Sequence, residues 1–425
     1  MKVICLWTDD LIRSMMYNLV KNGEVKRDMS ELTPIITRER IGAVDIMRGL
    51  AIFGILLVNM RDFNSPLQYL QPGSWWNHPI DRTTEAVIDI FAQASFYTLF
   101  SFLFGFGAMV FWERVRSRGH SFRRLFSRRL FVLLLIGSIH AFLIWHGDIL
   151  ISYALTGFFL ILFVNVRPRY MLIWAIFLLI VPNGLISLLL LLAVFLGDGG
   201  IEGAYNEKLA DEALKNYRDG TFSDIFWQRW HDWVYVNNIE GMVFIVLSLL
   251  PMFLLGAYVA KKQWFSDIKA NKRLLKRVWL LTFIIGFALK LLPYWTEKNI
   301  FTEYIQDMFG GPATAMFYAV TIALLSENEL WNKILSPLTA VGRVALTNYL
   351  FQSVICTLLF YNYGLGLYGS VRPFYGLLLT IVIFVIQIFL SGLWLKHYRI
   401  GPVEWVWRTL VYGQKQPLKK LSSEG

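Results

Sequence analysis

Cysteine occurs only twice, at Cys5 and Cys356, so neither a disulfide framework nor a cysteine metal site can organise the chain. Charge is also scarce. Charged residues make up 17%, against roughly 25% in soluble domains. No glycine-rich phosphate loop with its lysine, no zinc-spaced histidine pair and no dinucleotide fingerprint is present. The expectation is therefore no metal site and no resident cofactor. Gly105-Phe106-Gly107 by itself is too short a pattern to count. No clear repeat relates the two halves, which speaks against the inverted-repeat transporters.

What fills the sequence instead is apolar: 56% hydrophobic and 16% aromatic residues, gathered into long runs. Such a chain needs lipid as its solvent. A helix crosses the hydrocarbon with about 20 mainly apolar residues. By that length the sequence reads as an all-α membrane protein with about ten transmembrane helices, at 43–60, 87–112, 130–146, 149–166, 170–196, 241–260, 278–296, 312–326, 341–362 and 374–396. Residues 1–40 are expected to form a cytoplasmic tail without the tripartite order of a cleaved signal peptide, or to reflect a start placed too early, with Met29 the alternative. Residues 41–413 form the transmembrane domain, with an outer loop at 198–240, and residues 414–425 a basic cytoplasmic tail.

The formal net charge of +11 does not point to nucleic acid, because the basic residues sit in short clusters between apolar runs. Anionic lipid at the cytoplasmic face is the expected partner. Arg114, Arg116, Arg118, Arg123, Arg124, Arg128 and Arg129 separate spans two and three, and a second cluster runs from Lys261 to Arg277. Arg167 and Arg169 follow span four, and Lys396, Arg399 and Arg408 follow span ten. The positive-inside rule then puts both chain ends in the cytoplasm. The acidic segments Asp198 to Glu240 and Glu297 to Gly311 fall outside. The stretch from Glu327 to Arg343 reads as a nearly balanced loop. In the outer loop, Tyr205, Leu209, Leu214, Tyr217, Trp227, Trp230 and Trp233 suggest amphipathic helices that either anchor at the interface or cap a cavity.

Ionisable groups within such spans are costly, and few are expected here. Asp45 and Arg48 lie one helical turn apart at the start of span one, either as an ion pair or with Arg48 facing a phosphate-bearing ligand. Asn59, near the outer end of that span, bonds a neighbouring helix or holds a reacting carbonyl. The richest segment runs from Ser138 to Leu150. There Gly147-Asp148 makes a tight turn and Asp148 can cap the next helix. His140 needs a hydrogen-bond partner in hydrocarbon and is either a general base or proton carrier or a packed polar residue. His146 is expected as a solvated interfacial residue. In span nine, Asn348 and Gln352 share a face, with Arg343 at its cytoplasmic mouth; that face lines a cavity or joins helices. Ser95, Tyr97, Thr98, Ser101, Gly105 and Gly107 form a similar small and polar stripe on span two.

Several of these segments resemble the YeiB family of bacterial membrane proteins. The carrying matches are Val44-Asp45-Ile46-Met47-Arg48-Gly49, Gly54 to Asn59, Phe96 to Gly107, His140 with Gly147-Asp148-Ile149-Leu150, Gly342-Arg343 with Leu346-Thr347-Asn348-Tyr349, and Gly401 to Arg408. The resemblance implies a multi-pass protein of the bacterial cytoplasmic membrane but no particular activity. The opening of span one also resembles transmembrane acetyltransferases that pass acetyl from cytosolic acetyl-CoA to a glycan on the far side. That likeness implies a catalytic role for Asn59 and for a histidine in the following outer loop, where His78 stands.

Together these readings lead to a membrane acyltransferase. Acyl-CoA, the co-substrate, would meet Arg48, Asp45 and Arg343, with Asn348, Tyr349 and Gln352 along its path. His140 would act as general base, Asp148 would orient it, Asn59 would donate to the oxyanion, and His78 is the reserve histidine. The acceptor would be an envelope glycan or lipid. The rival readings are a transporter or export factor in which the same groups relay protons, and a scaffold without chemistry.

Overall fold

The computed structural model describes residues 41–70, 75–197 and 205–420. The expected tail at 1–40, with its alternative start at Met29, lies outside the described residues, as do 198–204 and 421–425. The described chain is a bundle of helices: α1 (Gly42–Asn64), α2 (Pro79–Phe91), α3 (Ser95–Ser117), α4 (Phe122–Ile139), α5 (Leu150–Leu160), α6 (Pro168–Phe195), α7 (Glu207–Asp219), α8 (Phe222–Val236), α9 (Ile239–Lys261), α10 (Ile268–Trp295), α11 (Ile300–Ile305), α12 (Gly311–Leu325), α13 (Glu329–Arg343), α14 (Ala345–Phe360), α15 (Pro373–His397) and α16 (Pro402–Tyr412). Among the described residues eight helical stretches are long and apolar enough to cross a membrane, or nine if the bent pair α13 and α14 is one span. This is an all-α, multi-pass membrane protein. Each of the ten expected spans falls on one of these segments or on α5, which at 11 residues is too short to span unaided.

Small residues decide where helices cross, since apolar side chains gain little by leaving lipid for one another. A Cβ on Gly105 of α3 would lie 1.9 Å from the Phe253 carbonyl oxygen, and one on Gly256 of α9 would lie 1.9 Å from that of Phe102. The two helices are therefore in backbone contact, so Gly105 of the stripe expected on span two marks where α3 meets α9, while Ser101 bonds the Tyr153 hydroxyl of α5 at 2.8 Å and Gly107 faces Arg48 of α1. Gly49 and Gly342 repeat the arrangement between α1 and α13, against the carbonyls of Leu338 and Asp45.

The stretch read as a balanced loop and the second acidic segment placed outside are both helical. Glu327 to Arg343 contains α13, capped by Asn328 Oδ1, whose Leu335, Leu338 and Val341 pack on the core beside α1. The helix is amphipathic, a property that a count of charge alone does not register. The backbone then bends by 78° into α14. Glu297 to Gly311 likewise forms α11 and a π-turn at Gln306–Gly310 that leads into α12.

The basic segments meet at one end of the bundle. Arg129 stacks over Trp407 at 4.7 Å, Lys261 Nζ donates to the carbonyls of Val164 and Val166, and Arg343 Nη2 donates to that of Arg399. At the opposite end α7 and α8 form a cap. Trp227 and Trp230 stay exposed on it while Tyr217 and Arg229 are buried, so this segment both presents aromatics outward and covers the bundle.

Candidate active site

The α4 helix ends in a π-turn, His140–Ile144, closed by Trp145 N–H donating to the His140 carbonyl at 2.8 Å. Such one-turn widenings interrupt the helical ladder and are frequent at functional sites. Gly147 then folds back tightly; a Cβ there would enter the Trp145 ring. The reversal sets Asp148 beside His140, eight residues away. Asp148 Oδ1 lies 2.7 Å from His140 Nδ1, and Oδ2 accepts the Ile151 N–H at 2.8 Å. One carboxylate thus serves both readings given to it, capping α5 and orienting the imidazole. The other ring nitrogen, Nε2, is 2.9 Å from Ser353 Oγ on α14. Ser353, His140 and Asp148 form a continuous relay, and all three are buried. Sequence reasoning missed Ser353, whose one signal was its place a turn beyond Tyr349 on the polar stripe of span nine.

The Tyr349 ring packs on the imidazole with centroids 5.1 Å apart. Its other side faces a cleft of about 120 Å³ lined by Asn59, Ala94, Tyr97, Gly147 and Ile149. Asn59, half-buried there, finds no hydrogen-bond partner among the described residues. Its amide is available to a ligand in a way that those of Asn348 and Gln352 are not. Asn348 Nδ2 donates to Ser391 Oγ at 2.9 Å, and Gln352 Nε2 donates to Gln387 Oε1 at 2.8 Å. These two amides join α14 to α15, the helix-joining alternative. Asp45 and Arg48 form the ion pair at 2.7 Å, on the basic end with Arg343. His78 is exposed and caps α2, where its Nδ1 accepts the Ile80 N–H.

The α14 helix, which carries Ser353, is held from its other end. Glu404 on α16 accepts the Leu346 N–H at 2.8 Å and the Thr347 N–H at 3.1 Å, filling the positive N-terminus of α14 just after the bend. Burial pushes this carboxyl above the ordinary range, opposed by its Thr347 and Leu346 donors. Glu404→Ala leaves those buried donors unmet and should lower stability by about 2 kcal/mol, with Glu404→Gln recovering roughly half. Denaturant unfolding in detergent measures this; equal stability of Glu404→Ala and the parent would remove the capping role.

His146 corrects an expectation. Instead of meeting solvent it is buried under the cap, with Nδ1 3.6 Å from Asp232 Oδ2 and 3.3 Å from the Tyr217 hydroxyl. Tyr217 and Tyr69 each donate to Asp232, at 2.6 and 2.7 Å. Burial and the adjacent carboxylate push both phenols up, so they remain donors. Arg229 of α8 donates to the Phe142 carbonyl in the π-turn, tying cap to site. The expectation of few buried charges also needs correction: Lys290 on α10 is fully buried, 3.5 Å from Asp307. A lysine amid Phe287, Leu289, Leu291 and Leu292 was the available signal.

Residues 259–414 match the family model described as "Protein of unknown function (DUF418)". The chain is 40% identical over 407 residues to "Uncharacterized protein YxaH" of Bacillus subtilis (strain 168), covering 92% of this chain and 99% of that one. It is 31% identical over 393 residues to "Uncharacterized protein YeiB" of Escherichia coli (strain K12), covering 88% and 96%.

Proposed function

Because the chain belongs to the YeiB-like membrane proteins and neither that family nor its match to DUF418 specifies a reaction, we propose a function from the site itself: transfer of an acyl group from acyl-CoA to an envelope glycan or lipid. The observation that carries it is the Ser353–His140–Asp148 relay. A serine hydroxyl on an imidazole that is held from behind by a carboxylate is the arrangement that makes serine a nucleophile, and it is recognised by geometry rather than by sequence order.

In the first half-reaction His140 Nε2 takes the Ser353 proton as Oγ attacks the thioester carbon. The C–S bond breaks and the CoA thiolate leaves with that proton, giving acyl-Ser353. In the second, the acceptor hydroxyl gives its proton to Nε2 and attacks the acyl carbon, and Ser353 Oγ leaves and recovers the proton. Asn59, which lines the cleft, would donate to the carbonyl oxygen as it gains charge. Rotation of the Tyr349 ring, the wall between cleft and imidazole, joins the two. The basic end lies in the cytosol in this reading, where Arg48, Arg343 and the Arg114 to Arg129 cluster meet CoA phosphates and anionic lipid. Asn59 is eleven residues beyond Arg48 on α1, about 16 Å at helical rise, a distance the pantetheine arm covers. The protein would then sit in the bacterial cytoplasmic membrane.

The test is covalent labelling. Purified protein incubated with acetyl-CoA labelled in its acetyl group should retain label on the peptide containing Ser353, and Ser353→Ala should retain none. Label absent from the parent protein, or present equally in Ser353→Ala, refutes the proposal; acyl-CoA-independent movement of a substrate would favour the transporter.

A further inference from the structure

Lys290 takes no part in the relay, yet it is fully buried in an apolar helix, where a charge needs a strong reason. Its Nζ donates to the Gln93 carbonyl at 2.5 Å, with Asp307 as counter-ion at 3.5 Å. Gln306, in the π-turn before α12, donates from Nε2 to the Lys290 carbonyl at 3.0 Å and so holds that turn of α10. The peptide that receives the ammonium is Gln93-Ala94, in the break between α2 and α3.

Ala94 has φ 55°, a left-handed conformation uncommon for a residue with a Cβ. Strain of this kind persists where surrounding structure imposes it, and it gathers at functional sites. Here α12 presses on the turn: a Cβ on Gly311 would come within 2.8 Å of the Ala94 Cβ. Ala94 lines the cleft beside Asn59, and its N–H finds no acceptor among the described residues. Every other polar group of this turn is engaged: the Gln93 carbonyl by Lys290, and the Gln93 side chain by Arg61 and Asp307.

Resting on the acyl-transfer reading above, we infer that the Ala94 N–H and the Asn59 amide together form the oxyanion hole, and that Lys290 is a positioning residue that polarises the Gln93-Ala94 peptide. An ammonium on a peptide oxygen draws electron density from that peptide and strengthens its N–H as a donor, and hydrogen bonds in series reinforce one another at low dielectric. The fixed positive charge also lies one peptide away from where negative charge develops, and a preorganised donor of this kind acts on the transition state more than on bound substrate.

The experiment is the pre-steady-state burst of CoA released from acetyl-CoA by full-length protein, with CoA affinity measured separately. Lys290→Met should slow the burst by about tenfold, below the 10² to 10³ of losing a donor outright, while CoA affinity stays unchanged. Because Lys290→Met leaves Asp307 uncompensated and can misfold, Lys290→Met with Asp307→Asn is the second variant. If Lys290 acts on the peptide, the double variant folds and stays about tenfold slow. If Lys290 only neutralises Asp307, the double variant regains the parental burst, and the inference is overturned. An unchanged burst in a folded Lys290→Met protein overturns it equally. No burst from the parent protein refutes acyl transfer itself, and this inference with it.

Discussion

Replacing His140 by alanine should reduce the burst of CoA release from acetyl-CoA by a factor on the order of 10³. Among the described residues the imidazole is the only group in contact with the Ser353 hydroxyl that can take its proton, and Asp148 fixes which ring nitrogen faces the serine. Asp148→Asn should slow the burst on the order of 10²-fold, since a neutral amide can hold the ring in the wrong tautomer without displacing it. CoA affinity should be unchanged in both, because the lost interaction matures only in the transition state. Folding is a fair concern, as both residues are fully enclosed. Asp148 nevertheless keeps its bond to the Ile151 N–H when His140 is lost, so its carboxylate is not left without a partner. A His140→Ala protein with parental unfolding behaviour and an undiminished burst would end the relay as a catalytic device.

The largest effect on stability should come from Gly105→Leu or Gly256→Leu. Each side chain would have to occupy space now held by a facing backbone carbonyl, 1.9 Å from the site of the new Cβ. Unlike a flexible side chain, a carbonyl within a regular helix cannot turn aside, so α3 and α9 must separate. Their separation would open the packing of Phe104, Tyr153 and Phe253, whose rings lie 4.7 to 5.5 Å apart in the core. The expected cost is at least about 3 kcal/mol, the upper range for overpacking a core. It should appear as a lowered unfolding midpoint in detergent or as failure to obtain monodisperse protein. Gly184 is the control: a Cβ there meets nothing within 4 Å, so Gly184→Ala should be nearly neutral or slightly stabilising. Equal effects at Gly105 and Gly184 would show that the crossing is not tight.

How far the site could be read ahead of the structure depended on separation along the chain. His140 and Asp148 are eight residues apart across a glycine turn, so their pairing follows from local geometry that Gly147-Asp148 announces. Ser353 reaches the same imidazole from 213 residues away, and its approach depends on the 78° bend before α14 and on Glu404 seating that helix. Asn348 and Gln352 show the same limit from the other side. Their i, i+4 spacing placed them on one face, but whether that face met a cavity or α15 was set by the partner helix. His146 was misplaced because nothing near it in sequence forecasts Asp232, which arrives on the cap.

Composition and periodicity alone established the lipid solvent, the apolar segments and the basic clusters, since each follows from the cost of moving a residue between water and hydrocarbon, paid locally and summed along a run. The packing decided the rest: which polar stripe became helix contact and which became cleft, where Lys290 found its carbonyl, and which serine met His140. Those outcomes turn on close approach between helices, governed by glycines whose effect is felt only when a second backbone comes against them.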